Sequence, residues 1–265
     1  MQFAGYGGGH RTLTVHRTLA DPRSGGHPTD TRLHDLLLEA LPVTTLGRVL
    51  DAGCGMGGTM IAFAARSPAT FTGLTLSARQ AAIGRRAIAR AGLANRIEIL
   101  VGSYDDPPER LFDAAIAIES LSHSPAPATS LRAIAARLAP GGWLALVDDM
   151  PEAAARGTRD LEVFQAGWRL PALSSAAEIA AQLRDNGLTI AADRDLTVEL
   201  RPRSREQIAR LERLNRLFHA LAPTRGLRTL LDSYHGGLAL ERLYRQGLMK
   251  YRLLLARKVA GSPRQ

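Results

Sequence analysis

Cysteine is almost missing from this chain. Cys54 is the only one among 265 residues, so no internal disulfide framework is available, and the usage suits a reducing, cytoplasmic setting. Lysine is nearly as scarce, with Lys250 and Lys258 the only two. Aromatic residues make up 5% of the chain, too few for the basic and aromatic interleaving that reads nucleic acid, and the sequence has no dense basic run. A nucleic-acid partner is therefore not expected. No apolar run approaches the ~20 residues of a membrane span, and the N-terminal "MQFAGYGGGHRTLTVHRT" lacks the apolar centre of a secretory signal. An integral membrane protein is excluded on that pattern.

What is present is arginine and an ordinary globular balance. The net charge is +9, with 45% hydrophobic and 22% charged residues. Guanidinium groups pair well with phosphate and carboxylate, so the excess points either to an anionic small-molecule partner or to a solvated basic surface. The length allows one large domain, 1–265, and a homo-oligomer is compatible with it.

Strand and helix signals alternate. Helical spacing covers Thr29–Leu41, Gly58–Ser67, Ser77–Gly92 and Pro127–Leu138; short apolar strands cover Gly47–Gly53, Thr70–Leu76, Arg96–Gly102, Phe112–Glu119 and Gly141–Asp149. Ser77 with Gln80 three residues on reads as a capping box. This alternation argues an α/β, doubly wound parallel sheet, in which ligands lie beyond the carboxyl ends of the strands. Residues 1–28 read as loop or lid and 29–150 as the cofactor-binding core. Residues 151–265 read as a helical cap, with helices near Arg159–Arg169, Ala176–Asn186, Ser204–Leu221 and Leu227–Gln246, plus strands near Leu188–Thr197 and Gly247–Lys258.

Val49–Met60, "VLDAGCGMGGTM", runs from a strand through glycines into a helix. Gly53, Gly55 and Gly57 permit a tight turn and a close ligand approach. The spacing is neither a P-loop nor the dinucleotide fingerprint, and Asp51 inside it would attract a cation and repel a pyrophosphate. "LDAGCGMGG" resembles motif I of class I S-adenosylmethionine-dependent methyltransferases. "GLTLSARQ" (Gly73–Gln80) is similar to the second-strand signature of the branch that holds sterol C-methyltransferases, tocopherol methyltransferases and cyclopropane fatty acid synthases. The resemblance implies a Rossmann-like, mostly parallel seven-stranded sheet with an antiparallel last strand and helical cap insertions. It implies S-adenosyl-L-methionine as cofactor, held by Asp51, Gly53, Cys54, Gly55, Gly57, Thr75, Leu76 and Gln80, with Ser103 and Tyr104 at the adenine end. Ser103 departs from the pattern, which has Asp there. No metal site is assigned.

"IESLSHSPAP" (Ile118–Pro127) ends an apolar strand with a carboxylate and an imidazole. It is similar to the Ile-Glu-(small)-x-x-His-x-Pro pattern of the same branch, whose members methylate electron-rich carbon. The resemblance implies a small lipophilic natural product as substrate, methylated at carbon on an alkene or isoprenoid such as a prenyl diphosphate. Methyl transfer to an alkene leaves a carbocation, which a carboxylate stabilises and a base then deprotonates. Glu119 and His123 are the catalytic candidates. Tyr6, Phe164, Trp168, Arg169, Tyr234 and Tyr244 are the substrate-side candidates, because rings stabilise cations and an arginine can hold an anionic head group. Phe218 and Tyr251 share the aromatic-bearing second half. Two other readings stay open: O- or N-methylation of a phenol, sugar or amine, with His123 as base, and a cofactor-binding cyclase or binding protein that transfers no methyl group.

Overall fold

The computed structural model describes residues 13, 14 and 16–260. Seven strands form one sheet: β1 Arg48–Ala52, β2 Thr70–Thr75, β3 Ile97–Val101, β4 Phe112–Ile118, β5 Leu138–Pro151, β6 Leu188–Asp195 and β7 Met249–Lys258. Their order across the sheet is β3-β2-β1-β4-β5-β7-β6. The first five are parallel, and β7 runs antiparallel between β5 and β6. This is the Rossmann-like arrangement with an antiparallel closing strand. The helices are α1 Arg32–Ala40, α2 Gly58–Ala64, α3 Ala78–Arg90, α4 Pro127–Ala136, α5 Arg159–Trp168, α6 Ala176–Asp185, α7 Arg205–Leu221 and α8 Arg225–Arg245.

Strand alternation divides the core between the two faces of the sheet. Val49, Ile116, Ala145 and Val147 point to the face covered by α1, α2, α3, α5 and α8, where Leu33, Leu37, Phe63, Ile88 and Phe164 pack. Leu50, Ala115, Leu144 and Leu146 point to the other face, covered by α4 and α6 through Leu131, Ile134, Ile179 and Leu183. Each such fully buried Leu or Ile contributes about 1.5–3 kcal/mol.

Three local expectations are revised. The fifth strand is longer than Gly141–Asp149: a bulge opposite Phe112/Ala114 absorbs the glycine turn, and pairing with β7 continues to Pro151 opposite Met249. The capping box on α3 is half made. Ser77 Oγ accepts from the Gln80 amide at 3.2 Å, but the Gln80 side chain turns away to accept from the Thr75 hydroxyl at 3.0 Å. The described part of the N-terminal stretch is packed rather than loose. Leu19–Ala20 pairs with Pro28–Thr29 in a short antiparallel ribbon, and Leu19 and Arg17 are buried. Among the described residues, no helix is long and apolar enough to cross a membrane.

Candidate active site

The sheet order reverses between β1 and β4, and the crevice beyond their carboxyl ends receives the chemistry-bearing residues. After β1 the chain turns on Gly53, Gly55 and Gly57, with φ of 104°, 54° and 80°. These left-handed values suit glycine. Space demands glycine at Gly53 as well: a Cβ there would lie 2.4 Å from Ser120 Cβ. Ser120, two residues past the end of β4, donates to the Ala52 carbonyl at 2.6 Å. A Cβ on Gly55 would meet nothing within 4 Å, so this turn faces open space. That space is a cavity of about 380 Å³ lined by Asp51, Gly53, Cys54, Gly55, Met56 and Thr59, with Leu13, Thr14 and His16 across from them. Gly57 turns behind it, toward Met60 and Ile99.

Asp51 is buried, and no hydrogen bond within the protein reaches its carboxyl among the described residues. Burial alone pushes its pKa up to about 7. A buried acid without a donor is costly, and a cationic ligand in the adjoining cavity would supply what the described residues do not. The residues therefore fit a ligand bearing an ammonium and a sulfonium. Cys54 is buried, its thiol pushed well above the ordinary range by burial and by Asp51, so it acts as wall rather than nucleophile.

The adenosine-side residues stand on neighbouring strand ends and do not line that cavity. Thr75 is buried and tied to Gln80, while Leu76 is 77% exposed. Ser103 Oγ accepts from the Asp105 amide at 3.0 Å in a local turn, and the Tyr104 hydroxyl donates to the Ser120 carbonyl at 2.8 Å. Asp105, the other acid of this loop, accepts from Ser130 at 2.5 Å.

At the end of β4 the backbone twists, and Glu119 has φ 48°. A non-glycine residue in that region is strained and persists where the surroundings fix it. Its amide donates to the Val147 carbonyl at 2.8 Å. Its Oε1 accepts two bonds of 2.8 Å, from the Arg17 amide and the Tyr251 hydroxyl. No hydrogen bond reaches Oε2 among the described residues. His123 closes the turn Leu121–His123 that follows. Its imidazole makes no hydrogen bond within the described residues. It is exposed along one edge, and partial burial holds its pKa below the ordinary value, against the opposing pull of Glu119. The ring is therefore neutral at pH 7 with a nitrogen available. The neighbouring serines are scaffold: Ser124 pairs with Ser130 at 2.6 Å and accepts from the Ala126 amide.

The aromatic residues are arranged differently from the expectation. Trp168, Tyr244 and Tyr251 do converge beside Glu119, but around a cation from the chain itself. The Arg17 guanidinium lies 5.7 Å, 5.3 Å and 5.7 Å from their ring centroids. It is paired with Asp149 at 2.5 Å, both groups being buried, and the Tyr244 hydroxyl donates to the same carboxylate. Phe164 is core, stacked edge-on against Trp168. The Tyr234 ring lies under the Arg203 guanidinium, 5.8 Å from its centroid. Arg169 is exposed and caps α5 with φ 54°. Tyr6 lies outside the described residues.

Four contributors escaped the sequence reading. Arg17 and His16 lie on a stretch without any periodic signal. Asp148 and Asp149 follow Val147, the last β5 residue paired with β4, and two acids directly after an apolar run are a signal that could have found them. Asp148 accepts from the Ser122 and Asp149 amides, and burial raises its pKa to about 7. His16 lines the glycine-loop cavity. Its Nδ1 must donate to the Arg17 carbonyl, leaving Nε2 facing His34 Nε2 at 3.1 Å.

The sequence profile described as a methyltransferase domain matches residues 26–192. The chain is 34% identical to 27-O-demethylrifamycin SV methyltransferase of Amycolatopsis mediterranei, over 69% of each chain. It is 29% identical to 24-methylenesterol C-methyltransferase 3 of Arabidopsis thaliana, over 63% of this chain and 48% of that one, so it spans about half of the sterol enzyme. In fold it is similar to geranyl diphosphate C-methyltransferase from Streptomyces coelicolor A3(2), solved with Mg2+, geranyl diphosphate and S-adenosyl-L-homocysteine. There the TM-score is 0.71 at 19% identity, covering 93% and 92% of the two chains. The profile match, the glycine loop with its donorless acid and the sheet order agree. The chain belongs to the methyltransferase domain family, and it is a class I methyltransferase that uses S-adenosyl-L-methionine.

Proposed function

We propose that this enzyme methylates a hydroxyl oxygen of a small lipophilic natural product, with His123 as the general base. The observation that carries the reading is the placement of the imidazole: exposed in the turn Leu121–His123 that follows β4, beside Glu119, and without a hydrogen bond among the described residues. Bound at the glycine loop, the cofactor supplies an electrophilic methyl carbon. His123 takes the hydroxyl proton as the oxygen forms its bond to the methyl carbon and the carbon–sulfur bond breaks, its electron pair staying on the sulfur of S-adenosylhomocysteine. Glu119 is anchored through Oε1 by the Arg17 amide and Tyr251, and its charge stabilises the imidazolium that results. A cleft of about 450 Å³ lined by Pro28, Leu200, Pro202 and Tyr244, with Arg17, Arg201 and Glu241, is a candidate path for an apolar acceptor carrying a charged or polar end.

C-methylation through a carbocation is the second reading, favoured by the carboxylate at the end of β4. Against it, the ring faces that would stabilise a carbocation already meet Arg17. Methyl-labelled cofactor assayed against hydroxylated polyketides, phenols and prenyl diphosphates separates the two. For a hydroxyl acceptor, His123→Gln should lower kcat by about 10²–10⁴-fold, with partial recovery on acceptors acidic enough to ionise unaided. If His123→Gln retains full turnover while Glu119→Gln loses it on an alkene acceptor, the O-methylation reading is wrong.

A further inference from the structure

The α7–α8 hairpin carries an apolar stripe that nothing in the described chain covers. The inner face of α7 is held to α8: Ile208 is buried, Asn215 donates to the Leu231 carbonyl at 3.2 Å, and His219 pairs with Asp232 at 3.0 Å. On the outer face, Leu214, Leu217, Phe218 and Leu221 recur at intervals of three, one and three. They fall within one arc of about 100° on a helix. All four are exposed, Phe218 by 52% and Leu221 by 69%. Leu227 and Leu230 of α8, exposed to a lesser degree, extend the apolar surface around the hairpin tip. Isolated exposed leucines are normal, but a contiguous stripe marks a contact surface.

The charge around it is of one sign. Arg210, Arg213 and Arg216 on α7 and Arg225 and Arg228 on α8 are all exposed. Glu212 and Asp232 are engaged on the inner side, with Arg242 and His219. The exposed acid of α7, Glu206, sits in its first turn, away from the tip. A second copy of the chain laid stripe to stripe would set arginine against arginine. An outward helix flank also offers no groove for a peptide. Apolar side chains flanked by guanidinium groups instead match the acyl boundary and head groups of an anionic bilayer. We infer that the α7–α8 tip is a peripheral docking face for anionic membrane surface, with the apolar stripe entering the head-group region and the arginines meeting lipid phosphate. The inference is independent of which acceptor the enzyme methylates.

Flotation with lipid vesicles tests it. The full chain should float with vesicles of phosphatidylcholine mixed with phosphatidylglycerol. It should float poorly with phosphatidylcholine alone, and added salt should weaken the anionic binding. Leu217→Ser with Phe218→Ser leaves the net charge unchanged, so adsorption of a +9 protein by charge alone would survive it. Docking through the stripe predicts a loss of about tenfold or more in vesicle affinity. An unchanged thermal transition and unchanged binding of S-adenosylhomocysteine would show that the variant is folded. The inference is overturned if the double variant floats as well as the parent. It is also overturned if the parent stays unbound with both lipids, or sediments as a dimer that the double variant dissolves.

Discussion

Asp51 is a buried acid to which no described residue offers a hydrogen bond. Because burial places its pKa at about 7, the carboxyl of the free enzyme is mostly ionised at pH 8 and mostly protonated at pH 6. An ammonium ligand binds the ionised form. Affinity for S-adenosylhomocysteine should therefore fall as the pH drops through 7, approaching roughly tenfold per pH unit below it. Titration calorimetry across this range should show that slope in the parent and weak, pH-flat binding in Asp51→Asn. Asp51 and Glu119 stood out in the sequence because one puts an acid inside a glycine motif and the other ends an apolar strand with a charge. Their supports were not legible. The Arg17 amide reaches Glu119 across 102 residues and the Tyr251 hydroxyl across 132, and nothing local announces such pairings. The aromatic candidates show the same limit. Their place in the late helices suggested the wall of an apolar substrate pocket, and the fold sets two of them, Trp168 and Tyr244, together with Tyr251, around an arginine.

At the scale of elements, strands and helices fell close to their expected ranges because hydrophobic period and turn residues are local properties. The misses came from tertiary override: β5 starts before its glycine turn because Leu138 pairs with Phe112 of β4, it runs past Asp149 because β7 pairs with it to Pro151, and Gln80 left the cap for Thr75. The crossing of α5 on α8 is a further tertiary feature, made close by glycines. A Cβ on Gly236 would lie 2.8 Å from Trp168 Cδ1 and 3.2 Å from Gly167 Cα, whereas one on Gly237 would meet only the Trp168 ring at 3.8 Å. Both residues are helical, so alanine gains about 1 kcal/mol of propensity at either site. Gly237→Ala should then be neutral or stabilising. Gly236→Ala should be net destabilising, since overpacking costs about 1–3 kcal/mol and backbone cannot yield as a side chain can. Urea denaturation of the two variants side by side checks this, and equal midpoints would show that the crossing tolerates separation.

Across the whole molecule, the Arg17–Asp149 pair joins the N-terminal strap to the centre of the sheet, with Tyr244 of α8 and Tyr251 of β7 closing around it. Removing one partner of a buried ion pair leaves an uncompensated charge, at a cost of about 3–5 kcal/mol. Arg17→Met and Asp149→Leu should each destabilise by that order, and the double variant should lose clearly less than their sum. Chemical denaturation of the four proteins measures the coupling, and additive losses would mean that the two groups act independently. Alternation of strand and helix made the doubly wound class readable from the chain. The strap was not readable, because glycine, histidine and arginine without periodicity look the same whether packed or loose.

The contact of Gly53 with Ser120 has a consequence for how such enzymes diverge. The glycine turn after β1 and the turn that carries Glu119 and His123 are held together through one small side chain, with Ser120 Cβ against Gly53 and Ser120 Oγ donating to Ala52 O. The separation between the two turns is thus set by the adjacent strands β1 and β4 and by the fit of Ser120 against Gly53. Substitutions in α5, α7 and α8 can reshape what is accepted while leaving that spacing untouched. Variation in acceptor should accordingly accumulate in the second half of the chain, with the first half under a geometric veto.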